Sequence, residues 1–334
     1  MKKISAYTTS RNTVSLNYPL KECLTSLLQF ADEIIVCDTT DKEDGTRDIL
    51  NDFEKNHKQI KVYHLDLDYS TPNHGILDGW CKGFSRSKTL GAWLFSADLD
   101  EFISAEDAKK IPQLINQLEA QNVSAISLPV IEFWDSLNKI RIDINPWKER
   151  ISKNNPNITH GIPIQLRQYH DGLLYAKPGT DGCNLIYKDS GELVPIAGFM
   201  TEEIDKLRRI AVTDMRYVSH YENWFNEVID QLPSIYHFSW ISIERKIRMY
   251  REYWDLHWKS LYNQVNKDNP FFDVPWNEVT DEMIKAKAKE LGEKTSGWVF
   301  HSKWNGSKTN GITINKSLPE VIVNSEWLKT NLTE

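Results

Sequence analysis

The first hundred residues alternate short apolar runs with amphipathic stretches. Ile4 to Tyr7 has the pattern of a strand. Leu20, Leu24, Leu27 and Leu28 then recur at helical spacing, with Asn17 placed to cap that helix and Tyr18 and Pro19 in its first turn. Ile34 to Cys37 is a second strand ending at Asp38, Gly45 to Asn56 a helix, Ile60 to Leu65 a third strand, and Gly75 to Leu90 a further helix. Trp93 to Ala97 is an unbroken apolar run, as expected of a strand buried on both faces. Strands separated by helices predict right-handed βαβ crossovers and an α/β fold with a mostly parallel sheet flanked by helices. A helix from Ser104 to about Ala120 follows, with Asp107 placed for a capping interaction, and then a strand from Ala125 to Ile131.

The pattern loosens from Trp134 to Val218, where Gly, Pro and Asn interrupt every periodic run. Loops of that length carry function or fold into short hairpins. Helical periodicity returns from about Ser242 to Val265 and from Asp281 to Leu291, with Gly292 as a C-terminal stop. The charged face of the Ser242–Val265 stretch reads as solvated. These shifts divide the chain into an α/β body, 1–240, and a helical C-terminal extension, 241–334. The body itself splits into halves of about 1–132 and 133–240.

A net charge of −7 over 334 residues argues against a nucleic-acid binder, which usually shows a basic face. No stretch approaches the roughly 18 apolar residues of a membrane span. The start, MKKISAYTTS, has no apolar core of a secretory signal, so a cytoplasmic location is expected. Cys23, Cys37, Cys81 and Cys183 lack CxxC spacing, so neither a zinc site nor a disulfide framework is indicated.

The chemistry concentrates in WLFSADLDEFIS, Trp93 to Ser104. Ligands of open α/β sheets bind outside the carboxyl ends of the strands. Asp98 and Asp100 leave the fourth strand there, and two carboxylates at i and i+2 can converge on one hard cation. Oxygen ligands suit Mg²⁺ or Mn²⁺, which completes its shell with substrate phosphates. The plain alternative is an Asp-rich loop that caps the following helix. Thr8, Thr9, Arg11 and Asn12 end the first strand, where they could hold a base and ribose. Asp38 ends its neighbour, where a carboxylate accepts from uracil N–H or a ribose hydroxyl, or else shapes the turn TTDKEDG. Lys82 and Arg86 lie four apart on one helix face, within reach of a diphosphate or simply solvated.

The order of these signals resembles the family 2-like glycosyltransferases of the GT-A fold, of bacterial or viral surface-glycan type. The resemblance rests on TTSRN after the first strand, ADEIIVCDTTDKEDGT around the second and SADLDE after the fourth. More loosely, it extends to ITHGIPIQLRQYHDGLLYAKPGTDGC and IYHFSW. Where family members often carry Ser-Gly-Ser after the second-strand Asp, this chain has Thr39 and Thr40. The resemblance implies a Rossmann-type mixed sheet. It also implies transfer of a sugar, with inversion, from a nucleotide-diphosphate donor (UDP-type favoured) to a glycan or lipid-linked acceptor. It brings in Mn²⁺ or Mg²⁺ and leaves room for peripheral membrane contact. Asp98 would meet ribose or metal, Asp100 the metal directly, and His237 in YHFSW would be a third metal ligand. Glu101 would brace the loop.

Single displacement also needs a carboxylate to deprotonate the acceptor hydroxyl. Asp181 in KPGTDGC is the first candidate, because flanking glycines let backbone approach a ligand. Its alternative is an ordinary turn residue. Glu132 and Asp135 follow the next strand and stand in reserve, while His160 and His220 could face the acceptor. A haloacid-dehalogenase-like phosphatase also places Asp-x-Asp after a buried strand, but near the start of the chain and with Thr or Val where Phe102 stands here. The other alternative is a non-catalytic carbohydrate-binding protein of the same fold. No G-x-G-x-x-G supports a dehydrogenase.

Overall fold

The computed structural model describes residues 3–69, 74–170, 172–177, 182–253, 269–294 and 308–332. Four strands, β1 (Ile4–Ser10), β2 (Glu33–Asp38), β3 (Ile60–His64) and β4 (Trp93–Ser96), lie parallel in the order β3-β2-β1-β4. The chain returns between them through α1 (Leu20–Leu27), α2 (Thr46–Asn56) and α3 (His74–Ser87). The carboxyl ends of all four strands therefore fall along one edge, with Asp38 and Asp98 at or just past it.

Beyond β4 the sheet becomes mixed. β5 (Glu101–Phe102), α4 (Ala105–Ala120), β6 (Ala125–Trp134), β7 (Ile140–Arg141) and β8 (Trp147–Lys153) follow. β8 is inserted between β4 and β6, antiparallel to both, so Ile151 faces Phe95 on one side and Ile126 on the other. β9 (Ile158–Gly161) pairs with β12 (Asn184–Tyr187), and β10 (Arg167–His170) with β11 (Leu173–Ala176), each antiparallel. After α5 (Glu202–Ala211) and α6 (Val218–Gln231), β13 (Ile235–Trp240) runs parallel to β6 and antiparallel to β5. It thereby sets His237 opposite both Glu101 and Glu132.

The main core is built by β1, β2 and β4 with α1, through Ala6, Leu24, Leu27, Val36 and Phe95. The end of the chain returns to it: β14 (Gly311–Ile312) pairs with β7, and Ile312, Ile322 and Leu328 are buried there. A second core around Trp134 and Trp240 seats α7 (Ile243–Tyr253) and the helix Asp281–Gly292. Residues 254–265 of the expected long helix lie outside the described residues. Among the described residues no helix is long and apolar enough to cross a membrane.

Several local expectations are corrected. Asn17 does not cap α1: its backbone is left-handed (φ 54°), its amide donates to Asn331 Oδ1 at 2.9 Å, and Pro19 occupies the cap position. Gly292 lies inside its helix rather than stopping it, and Glu293 is the C-cap. The stretch 134–218 holds hairpins as expected, but also α5, capped by Thr201, whose hydroxyl accepts from Ile204 N. Asp107 does join the start of α4, donating its backbone N–H to Ser104 Oγ at 3.1 Å.

Candidate active site

A cavity of about 330 Å³ opens at the carboxyl edge of the parallel strands, within the range of small-ligand sites. Thr9 at the end of β1, Arg11 after it, Thr39 after β2, and Asp98 and Asp100 after β4 line it. Lys82 from α3, Lys148 from β8, His237 from β13 and Lys246 from α7 complete it.

The two aspartates have different surroundings. Asp98 Oδ1 accepts from Lys82 Nζ at 2.5 Å, and its Oδ2 from Arg150 Nη2 at 2.6 Å. Burial works against its ionisation, but Lys82 and Arg150 outweigh that and hold it well below the ordinary carboxylate range. Glu101 braces the loop as expected, accepting from Lys148 Nζ at 2.8 Å, from Arg150 and from the Asp98 backbone N–H at 3.1 Å. Lys148 and Arg150 reach this network together because alternate residues of β8 project from the same face.

Asp100 instead faces His237, with 3.3 Å between Oδ1 and Nε2. The other ring nitrogen, Nδ1, is hydrogen-bonded to Glu132 Oε2. Burial favours the neutral imidazole, yet Glu132 and Asp100 prevail and raise His237 to about 9. The imidazolium in turn lowers Asp100 and Glu132 against the cost of their own burial. A histidine whose far nitrogen is fixed by a carboxylate is the usual arrangement of a metal-bound imidazole.

This pairing has a stability signature. With His237 at about 9 when folded and 6.5 as its reference, the pairing stabilises the fold fully below pH 6.5 and is lost as pH rises through 9. The difference amounts to at most about 3 kcal/mol. Lys246, pushed by burial to about 8 despite the pull of Asp100, acts oppositely above pH 8. The stability advantage of the wild type over His237→Gln, measured by urea unfolding in EDTA, should therefore shrink between pH 6.5 and 9. An advantage constant over that range would show that the ring is not held as an imidazolium.

The remaining expected residues divide sharply. Arg11 lies on the wall, its guanidinium 3.3 Å from the centre of the Tyr69 ring and its Nη2 2.8 Å from Asp41 Oδ2. Asn12 pins the next loop, its side-chain oxygen accepting from Asp41 and Lys42 N–H at 3.1 Å. Asp38 and Thr8 are fully buried behind the wall. Asp38 accepts from Thr40 Oγ1 at 2.6 Å and Arg47 Nε at 3.3 Å, and lies 2.8 Å from His64 Nδ1, so Thr39 rather than Asp38 lines the cavity. Arg86 turns inward, donating to Ser152 Oγ and the carbonyls of Lys153 and Ile158, and so staples α3 to β8 and β9.

Glu132 stands behind His237 rather than on the wall. Asp135, with a left-handed backbone (φ 54°), is tucked against Gly292, where an added Cβ would come within 2.1 Å of its Oδ2. His160 is buried between the Tyr7 hydroxyl and the Cys183 carbonyl, and burial lowers it to about 3, so it is neutral. His220 is exposed on α6, edge-on to Tyr217. Asp181 lies outside the described residues. The sequence reading missed Lys148, Arg150, Lys246, Tyr69 and Asp78, which comes from α3. For the pair on β8, the i, i+2 spacing of Lys148 and Arg150 was the available signal.

The glycosyl transferase family 2 model matches residues 14–170. The SPbeta prophage-derived glycosyltransferase SunS of Bacillus subtilis (strain 168) and glycosyltransferase SunS of Bacillus phage SPbeta are each 24% identical over 164 residues. Those matches cover 46% of this chain and 36% of each relative, so the matched stretch spans about a third of their length. Among solved structures, S. aureus TarS 1-349 is 14% identical, with 86% of this chain and 88% of that one covered and a TM-score of 0.37. The mannosyltransferase PcManGT from Pyrobaculum calidifontis, solved with GDP-Man and Mn²⁺, is 12% identical over 46% and 44% of the two chains, at a TM-score of 0.32. Over residues 14–170 the chain is thus similar to glycosyl transferase family 2, and that stretch builds most of a mixed, mostly parallel sheet that delivers its carboxylate loop to the cavity.

Proposed function

We propose that the protein moves a hexosyl group from a nucleotide-diphosphate sugar to a hydroxyl of a glycan or lipid-linked saccharide, with a divalent metal and with inversion. The observation that carries this reading is the Asp100–His237 pair on the wall of a cavity that also presents Lys82, Lys148 and Lys246. A carboxylate oxygen and an imidazole nitrogen 3.3 Å apart suit Mn²⁺ well and Mg²⁺ acceptably. Asp98, the other aspartate of the DXD motif, is already engaged by Lys82 and Arg150. Among the described residues no three His, Cys, Asp or Glu side chains gather to hold an ion unaided. Such a metal takes few protein ligands and completes its shell with substrate phosphates and water. When bound, it neutralises charge on the departing diphosphate.

The chain's own residues do the rest. Glu132 fixes the orientation of His237. Lys82 and Arg150 hold Asp98 ionised at the ribose or metal position, and Glu101 with Lys148 keeps the loop rigid, so the polar wall needs no reorganisation as charge develops. Thr9, Arg11 and Thr39, with Asp38 acting from behind through Thr40 and Arg47, shape the nucleoside end. UDP is the favoured donor nucleotide. Asp181 is assigned as the base.

In this reading the catalytic part is 1–240, with a donor half of about 1–132 and an acceptor half of about 133–240. The extension 241–334 adds Lys246 and Met249 to the cavity wall. Assembly of a surface polysaccharide in the cytoplasm is the setting proposed.

A panel of nucleotide sugars tested for donor hydrolysis, with Mn²⁺ or with EDTA, checks the reading. One donor should be consumed with Mn²⁺ and spared in EDTA. Equal consumption in EDTA would remove the metal, and no consumption of any donor, with or without acceptor glycans, would remove the transferase reading of this site.

A further inference from the structure

Lys246 stands in the first turn of α7, far beyond the stretch that matches the family. It is only 6% exposed. Aromatic rings flank it, with Nζ 5.6 Å from the centre of Trp240 and 5.9 Å from that of Tyr250. The ammonium donates to Ser239 Oγ at 2.7 Å, on the wall that also carries Asp100 and His237.

The other cations of the wall each have a carboxylate partner: Lys82 has Asp98, Lys148 has Glu101 and Arg11 has Asp41. Among the described residues, Lys246 has no carboxylate within ion-pairing distance; its hydrogen-bond partner is a neutral hydroxyl. Burying an ammonium that way is costly, and the cost falls when an anion enters beside it. That cost is borne at the corner of the cavity shared with the Asp100–His237 pair, where a leaving diphosphate is expected.

We propose that Lys246 binds the diphosphate of the sugar donor directly, as a catalytic residue of the transfer. The assignment rests on the reading of the cavity as a nucleotide-sugar site. In the transfer, the bond from the anomeric carbon to the phosphate oxygen breaks and its electron pair stays on that oxygen. The acceptor oxygen bonds to the same carbon, and its proton passes to the carboxylate base. Lys246 keeps its proton and meets the charge gathering on the diphosphate. Three protons on a flexible stem suit an oxygen whose position shifts as the bond lengthens.

Calorimetry separates this role from a structural one. Lys246→Met keeps the stem between its rings but removes the charge, and Lys246→Gln keeps a polar tip toward Ser239. UDP and GDP are titrated against UMP and GMP, in EDTA and in Mn²⁺, with thermal melting as the check on folding. Loss of a charged hydrogen bond should weaken diphosphate binding roughly 10- to 100-fold. Monophosphate binding should hold nearly constant, and Lys246→Arg should recover part of the loss. If either neutral variant folds and keeps the wild-type preference for diphosphate over monophosphate, Lys246 is structural and the assignment is overturned. Should Met prevent folding, Gln supplies the comparison; should neither fold, the wild type's own preference decides, and equal affinity for diphosphate and monophosphate overturns the assignment. A wild-type protein that binds neither UDP nor GDP overturns the donor-site reading, and this assignment with it.

Discussion

Asp100→Asn is expected to abolish the Mn²⁺-dependent part of nucleoside-diphosphate binding and to lower sugar transfer about a thousandfold or more. The substitution keeps the size and hydrogen-bonding shape of the side chain, so the loop after β4 retains its packing. It removes the charge that faces His237 Nε2 across 3.3 Å, and with it the anionic ligand proposed for the metal. Charge neutralisation by a bound divalent cation is worth several kcal/mol in the transition state, and about 4 kcal/mol corresponds to roughly a thousandfold in rate. Asp98→Asn gives a contrasting result. It leaves Lys82 and Arg150 without their shared carboxylate, so the fold as well as the metal should suffer. Titration of UDP and GDP with and without Mn²⁺ on the Asp100 variant decides the matter. If metal-dependent binding survives unchanged, the Asp100–His237 pair is a structural ion pair and the metal lies elsewhere.

The contrast between the two aspartates shows how far the sequence could be read. Both were marked by the same signal, an apolar strand ending in acidic residues. The assignment of His237 came from the family resemblance, and the structure sets it beside Asp100. The division of labour was not legible, because it is set by cations about 50 residues away on β8. That strand is central, but WKERISK has three charged residues in a row, Lys148 to Arg150, like an exposed segment. Only its neighbours reveal that Lys148 and Arg150 point at buried carboxylates. Arg86 shows the converse. Its spacing from Lys82 suggested a shared face toward phosphate, yet one more helical turn carries it to the carbonyls at the ends of β8 and β9. The βαβ half was legible because each element has its own period. The helices α5 and α6 were not, since they lie within or beside a stretch broken by Gly, Pro and Asn. Asn17 looked like a cap from its residue type alone, but its bond to Asn331 spans almost the whole chain.

Asp181→Asn should separate donor binding from chemistry, lowering transfer about 10²- to 10⁴-fold while leaving nucleotide affinity nearly unchanged. Asp181 itself lies outside the described residues, but its two successors in the chain are well anchored. Gly182 packs against α3 so closely that a Cβ on Gly79 would come within 2.0 Å of its carbonyl oxygen. Cys183 lines the cavity, and its carbonyl is tied to His160 Nδ1 at 2.6 Å. The chain is therefore held at the cavity wall two residues after Asp181. The reserves are less well placed. Glu132 is occupied by His237, and Asp135 is wedged against Gly292. A turn residue would behave differently, because Asn is at home in turns and turnover would barely change. Transfer kinetics at saturating donor, with nucleotide affinity measured on the same protein, distinguish the two. Near wild-type turnover would pass the role of base to Asp78, the carboxylate that α3 contributes to the described cavity wall outside the β4 loop.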